Sequence, residues 1–330
     1  MRLHGSLGIA KSIVRKFERK LIVIGVFAPA LVASLANAQT IKLVVPIPTG
    51  GAGDVLARVL ADQITRAQNL TIVVENRPGG STLIGTEAAA RADANGNTML
   101  IAGNGFVINP HLRKTNYHPL TSFEPICHLV NLPTVIAVNS ASPYRSLADL
   151  FGAARRQPGQ LTLASIGPAS TAHIAFEMLK RAANVDIAFV PYPGTAPAVN
   201  ALLGNHVTSY FGNYADIAGQ LKSGTLRVLA SASPRRIEAL PDAPTLAEAG
   251  YEIALGEIWY GAVAPIGTSK QVIAKRAEWF TAALESSEVK ARLVASGIYP
   301  APICGDPYAA FLRQQTEQYG RAIRETGIKG

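Results

Sequence analysis

Ser170 and His173 stand three residues apart in Ser170-Thr171-Ala172-His173. On a helix that spacing puts a hydroxyl and an imidazole on one face. A nucleophile and its base would need that proximity, so hydrolysis is one chemistry to weigh. No G-x-S-x-G turn is present, and no third group to orient His173 is evident. The simpler expectation is that Ser170 or Thr171 caps a helix and His173 packs one turn later.

A second chemistry is anion binding. Gly50, Gly51 and Gly53 make a tight turn ahead of Asp54. A helix that starts at such a turn directs free N–H groups and its positive dipole end outward. Dinucleotide binding is not indicated, because Asp54, Val55 and Leu56 follow Gly53 and the third glycine of G-x-G-x-x-G is missing. A P-loop is excluded by the absence of its lysine. Asp54 would repel a doubly charged phosphate, or could simply cap the helix. A small carboxylate fits better. Residues 46–54, 103–110, 164–172 and 191–198 hold no Lys or Arg. A carboxylate there must therefore be met by N–H groups, hydroxyls and helix ends, at roughly 1.5–3 kcal/mol for each bond to the charge.

The elements that must position these residues alternate. Ile41–Val45 reads as a buried strand, and 55–64 repeats apolar residues at helical spacing. Strand signals recur at 70–75, 98–102, 161–165, 187–190, 207–211 and 226–231. Helices are expected at 82–92, 147–156, from Ser170 to about 183, at 269–286, 287–296 and 307–326. Such alternation argues for α/β architecture, parallel sheets with helices on both faces. In such sheets ligands sit beyond the carboxyl ends of strands, where these glycine and proline turns fall. Extended runs at 124–139 and 251–265 read as two crossings between domains.

Residues 1–20 carry six positive charges and one negative, 21–33 are apolar, and Ala36-Asn37-Ala38 offers small residues for cleavage. This predicts a secretory signal removed after Ala38. Its loss lowers the net charge from +9 to +4. No basic run interleaved with aromatics then argues for nucleic acid. About 290 mature residues allow two domains at the usual ~150 each. Cys127 and Cys304 have no metal-ligand spacing; an exported protein can pair them or leave them free.

The stretch Pro46-Ile47-Pro48-Thr49-Gly50-Gly51-Ala52-Gly53-Asp54 resembles the P-[FY]-P-P-G-G-x-x-D signature of the periplasmic receptors of tripartite tricarboxylate transporters, the TctC or Bug-type family. Ile47 replaces the aromatic and Thr49 the second proline. Ala164-Ser165-Ile166-Gly167-Pro168-Ala169-Ser170-Thr171-Ala172-His173 resembles A-S-x-G-x-G-S-x-x-H, with Ala169 for the second glycine. Gly103–Pro110, Val190–Ala198 and Phe211-Gly212-Asn213 add further matches. Pro193 stands where the family often has lysine, and Asp216 where it usually has a small residue. The resemblance covers nearly all of the chain after residue 39.

The resemblance implies a two-lobed periplasmic binding protein fold, type II-like, with two doubly wound domains joined by a two-segment hinge. One lobe would comprise 39–138 and 259–330, the other 139–258. It implies a monomeric periplasmic receptor, not an enzyme, with no cofactor or metal. The receptor would capture a small carboxylate and deliver it to membrane permease subunits. The carboxylate could be a di- or tricarboxylate, an acidic amino acid or an aromatic acid. A ligand sensor on the same fold is the alternative, ahead of a periplasmic hydrolase. In the first lobe the expected contacts are Pro48, Thr49, Gly50, Gly51 and Asp54, with Asn104, Phe106 and Asn109 from the second turn. In the other they are Ser165, Gly167, Ser170, Thr171 and His173, then Tyr192, Thr195, Asn213 and Asp216; as a departure from the family's small residue, Asp216 either faces solvent or meets a ligand amino group.

Overall fold

The computed structural model describes residues 40–253 and 255–330. The signal segment and its cleavage site lie outside the described residues. The chain runs β1 (Thr40–Val45), α1 (Ala52–Gln68), β2 (Thr71–Asn76), α2 (Leu83–Ala90), β3 (Thr98–Gly103), α3 (Asn104–Leu112) and β4 (Phe123–Leu132). It continues with β5 (Thr134–Asn139), α4 (Leu147–Arg156), β6 (Thr162–Ile166), α5 (Thr171–Ala183), β7 (Ala188–Tyr192), α6 (Thr195–Leu203) and β8 (Ser209–Asn213). A 3-10 turn (Tyr214–Ile217), α7 (Ala218–Lys222) and β9 (Leu226–Ser231) follow. The last elements are β10 (Ile258–Pro265), α8 (Lys270–Glu285), α9 (Ser287–Ala295), β11 (Tyr299–Cys304) and α10 (Asp306–Thr326).

Two sheets form. The first has the order β11-β4-β10-β3-β1-β2 and the second β7-β6-β8-β5-β9. β1 lies inside the first sheet, parallel to both β2 and β3. Its period-2 alternation sends Ile41, Leu43 and Val45 into one core with α1 and α8, and Val44 into the other with α3 and α10. A strand covered on both faces reads as the continuous apolar run seen in the sequence. In α1, Leu56, Leu60 and Ile64 recur every four residues and are buried, while Arg58 and Asp62 face solvent. Truncating one such leucine to alanine costs roughly 2–5 kcal/mol. α4 begins with a reciprocal cap: Ser146 Oγ accepts from Asp149 N, and Asp149 accepts from Ser146 N.

The sheets are mixed rather than parallel throughout. β10 is antiparallel to β3 and β4, β11 to β4, and β5 to β8 and β9. β5 and β10 enter their sheets from the other lobe, so no βα crossover dictates their direction. The first crossing falls at Pro133, not after 138: β5 belongs wholly to the second sheet. The return is the segment before Ile258, and only 258–265 of the second extended run is strand.

α3 and β11 are among the elements that escape the sequence reading. α3 starts on Asn104 directly at the end of β3, so its glycines read as a turn. β11 contains Pro300 and Pro302, which argue against a strand except at a sheet edge, and an edge is where it lies. Cys127 of β4 and Cys304 of β11 form a disulfide that ties this edge strand to its neighbour across 177 residues of chain.

Candidate ligand-binding site

In the first sheet β1 and β3 run parallel and end at Val45 and Gly103, where α1 and α3 begin. In the second sheet β6 and β8 end at Ile166 and Asn213, beside the starts of α5 and the 3-10 turn, and β7 leads to α6. The first-turn N–H groups of a helix have no intrahelical partner. The N-cap residues of α1 and α6 are Gly51 and Gly194, which supply no side-chain acceptor. Pro48, Thr49 and Gly50 are exposed at the first turn, and Gly51, Gly167, Ser170, Thr171, Tyr192, Thr195 and Asn213 are partly exposed at theirs.

Asp54 does not line the cleft. It is 2% exposed, closed over by its own turn rather than sunk in the deep core. Its carboxylate accepts from Gly50 N at 2.9 Å, from Arg58 Nε at 3.0 Å and from Asn76 Nδ2 at 2.9 Å. Burial pushes its pKa up, but these bonds outweigh that and hold it below the ordinary value. Asp54 therefore shapes the glycine turn. Gly53 N meets the hydroxyl of Tyr260, a residue of β10 that the sequence reading did not assign to the site. A side chain on Gly53 or Gly103 would collide with the Tyr260 ring, which explains both glycines.

Four more expected contacts are buried behind the turns with their polar atoms engaged. Phe106 is 1% exposed and packs against Tyr117 and Phe123. Asn109 donates to Ser81 O at 2.7 Å and so holds the loop before α2. That loop places Gly79, Gly80, Ser81 and Thr82 in succession at positive φ. Ser165 donates to Phe211 O at 2.6 Å, locking β6 to β8. Asn104 donates to Glu257 O at 3.1 Å and to the Tyr319 hydroxyl at 2.9 Å, and accepts from Trp259 N at 3.1 Å.

The Ser170–His173 pair does not form a nucleophile and base. Ser170 Oγ accepts from the backbone N of His173 at 3.2 Å, as an N-cap. The ring Nδ1 accepts from Ala169 N at 3.0 Å, and the ring stacks on Phe189 with centroids 3.9 Å apart. Burial lowers its pKa and favours the neutral ring. Ala169 sits at φ 56°, a left-handed conformation that glycine takes without strain.

At the far wall Thr195 Oγ1 donates to Asp216 Oδ2 at 3.1 Å and also bonds the buried Tyr210 hydroxyl. The Asp216 side chain reaches solvent, yet the walls around it push its pKa up, with Thr195 opposing. Its charge reaches the Tyr260 hydroxyl across the cleft, and burial together with that charge raises Tyr260 to about 12. A separate cavity of about 660 Å³ lies against α10, bounded by Trp259, Phe311, Gln315, Ser233 and Glu257. It contains none of the expected contacts.

Residues 56–328 match the family model of the tripartite tricarboxylate transporter family receptor. The chain belongs to that receptor family. The receptor is 32% identical over 323 residues to Protein BugT of Bordetella pertussis, covering 94% of this chain and 98% of the relative. Among solved structures it is similar to the periplasmic binding protein BugD, with 32% identity and a TM-score of 0.73. That match covers 88% of this chain and 98% of BugD. It is also similar to R. palustris Rpa4515, solved with adipate, with 28% identity, a TM-score of 0.76, and coverage of 88% and 98%. The receptor thus has the two-lobed fold of periplasmic binding proteins and is a solute-binding protein, not an enzyme. No helix among the described residues is long and apolar enough to cross a membrane.

Proposed function

We propose that this chain is an exported periplasmic receptor that closes two lobes on a small carboxylate and delivers it to a tripartite tricarboxylate-type permease. The observation that carries this reading is the pair of glycine-capped helix starts, Gly51 of α1 and Gly194 of α6, at turns that hold no Lys or Arg. Free N–H groups at helix starts can neutralise a carboxylate without a cation. The adipate bound by Rpa4515, a relative at 28% identity, supports the same ligand class.

Export follows from the basic, apolar and Ala36-Asn37-Ala38 segments, with the mature protein starting at Gln39. The contacts fall to Thr49, Gly50, Gly51, Gly167, Ser170, Thr171, Tyr192, Thr195, Asn213 and Asp216, joined by Tyr260. Asp54, Asn104, Asn109 and Ser165 act indirectly, by fixing the turns. A thermal-shift screen of mono-, di- and tricarboxylates tests the reading. At a ligand concentration 100 times Kd, binding adds about 2.7 kcal/mol of stability. One or a few hits, recovered unchanged after incubation, are expected. No hit, or chemical conversion of the hit, contradicts it.

A further inference from the structure

Asp216 is a carboxylate placed where a carboxylate ligand is to be bound. Among the described residues its one side-chain hydrogen bond comes from Thr195, at 3.1 Å. Among the described residues no cationic side chain acts on it. The turns around the cleft supply none either, since 46–54, 103–110, 164–172 and 191–198 lack Lys and Arg. Across the cleft its field reaches Tyr260, whose hydroxyl is engaged by Gly53 N at the start of α1. Asp216 therefore stands at the start of α6, one of the two helix starts proposed to hold the ligand.

An unsubstituted carboxylate bound there would face a second carboxylate with no cation from the surrounding turns to offset it. A donor on the ligand removes that conflict. An ammonium cancels the charge, and a hydroxyl gives Asp216 the hydrogen bond its second oxygen lacks. We propose that Asp216 is the specificity-determining residue of this receptor, selecting carboxylates that carry an ammonium or hydroxyl group close to the carboxylate and rejecting unsubstituted ones. This rests on the carboxylate-receptor reading above. The chemistry is that of an amino acid or a hydroxy acid, and a simple adipate-like diacid is disfavoured. A merely structural Asp216, serving only to anchor Thr195 at the start of α6, would impose no such preference.

Calorimetric titration with matched sets tests it: succinate, malate and aspartate; glutarate, 2-hydroxyglutarate and glutamate; adipate and 2-aminoadipate. The wild-type protein is expected to bind the amino or hydroxy member of at least one set tenfold or more tighter than its unsubstituted partner. Asp216→Asn, which can still accept from Thr195, should shrink that ratio to threefold or less. Part of the change should come from tighter binding of the unsubstituted acid. Unsubstituted acids binding as tightly as their substituted partners overturn the proposal while leaving the carboxylate reading intact. An unchanged ratio in Asp216→Asn does the same. Failure of every carboxylate overturns both. Should Asp216→Asn fold poorly, Asp216→Ser offers the same comparison, and the wild-type ratio alone remains decisive against the proposal.

Discussion

Asn104 Nδ2 donates to the Tyr319 hydroxyl at 2.9 Å, joining the start of α3 to α10. The same hydroxyl meets Thr171 at the start of α5, in the second lobe. Asn104 also grips the crossing segment at Glu257 O and Trp259 N. One asparagine and one tyrosine thus connect both lobes and a hinge strand. Tyr319→Phe deletes the shared hydroxyl and leaves one N–H of the buried Asn104 amide without its acceptor. The variant should lose about 1–3 kcal/mol of stability in urea unfolding. Small-angle scattering should show a more open molecule. Unchanged stability and dimensions would show that this contact does not hold the lobes.

Two acidic groups should pull the dependence of stability on pH in opposite directions. Asp54 has a lowered native pKa, so its contribution is present above its ordinary value of 3.8 and is lost as pH falls through the native value. Glu257 is raised by burial to about 7, with Ser233 opposing. The folded protein then holds a proton that the unfolded chain has released. Stability from this group is full below 4.5 and is lost as pH rises toward 7. Melting temperatures from pH 5 to 8 should fall less in Glu257→Gln than in wild type. Parallel curves would refute the assignment.

Much of this was legible from residue order. β1, the Gly50–Gly53 turn and α1 announce themselves by an apolar run, glycines and a four-residue repeat. The helix expected at 147–156 is α4, Leu147–Arg156. The family signature singled out the strand-end turns now proposed to hold the ligand. What it could not give was which side of a turn each polar residue faces. Asp54 and Ser165 sit beside glycines that face the cleft, yet both turn inward because unpaired turn N–H and C=O groups needed partners. Tyr260 was hidden because its role comes from β10 returning beside β3, a long-range pairing that local pattern cannot reveal. β11 was masked by its prolines.

Removing the disulfide should destabilise the first sheet's edge. Cys127→Ala with Cys304→Ala frees a loop of 177 residues and leaves β11 held to β4 by backbone pairing alone. A loss of about 2–4 kcal/mol is expected in denaturant titration, with reduced wild-type protein behaving alike. Equal stability of reduced and oxidised protein would contradict this.

Trp259 is buried at the crossing, with Nε1 donating to Gln315 at 3.2 Å, while Trp279 of α8 stacks on Arg276 away from it. Lobe closure should alter Trp259 emission and spare Trp279. Trp259→Phe should abolish the fluorescence response to a bound carboxylate. If Trp279→Phe abolishes it instead, the motion is centred elsewhere.

The central claim is that a carboxylate is held at the strand-end turns of both lobes. Amide hydrogen exchange, with and without a saturating carboxylate hit, tests it most directly. The account predicts slowed exchange at 49–53, 167–172 and 194–196 together. Protection confined to one lobe, or to the cavity formed by Ser233, Glu257 and Gln315, would contradict it.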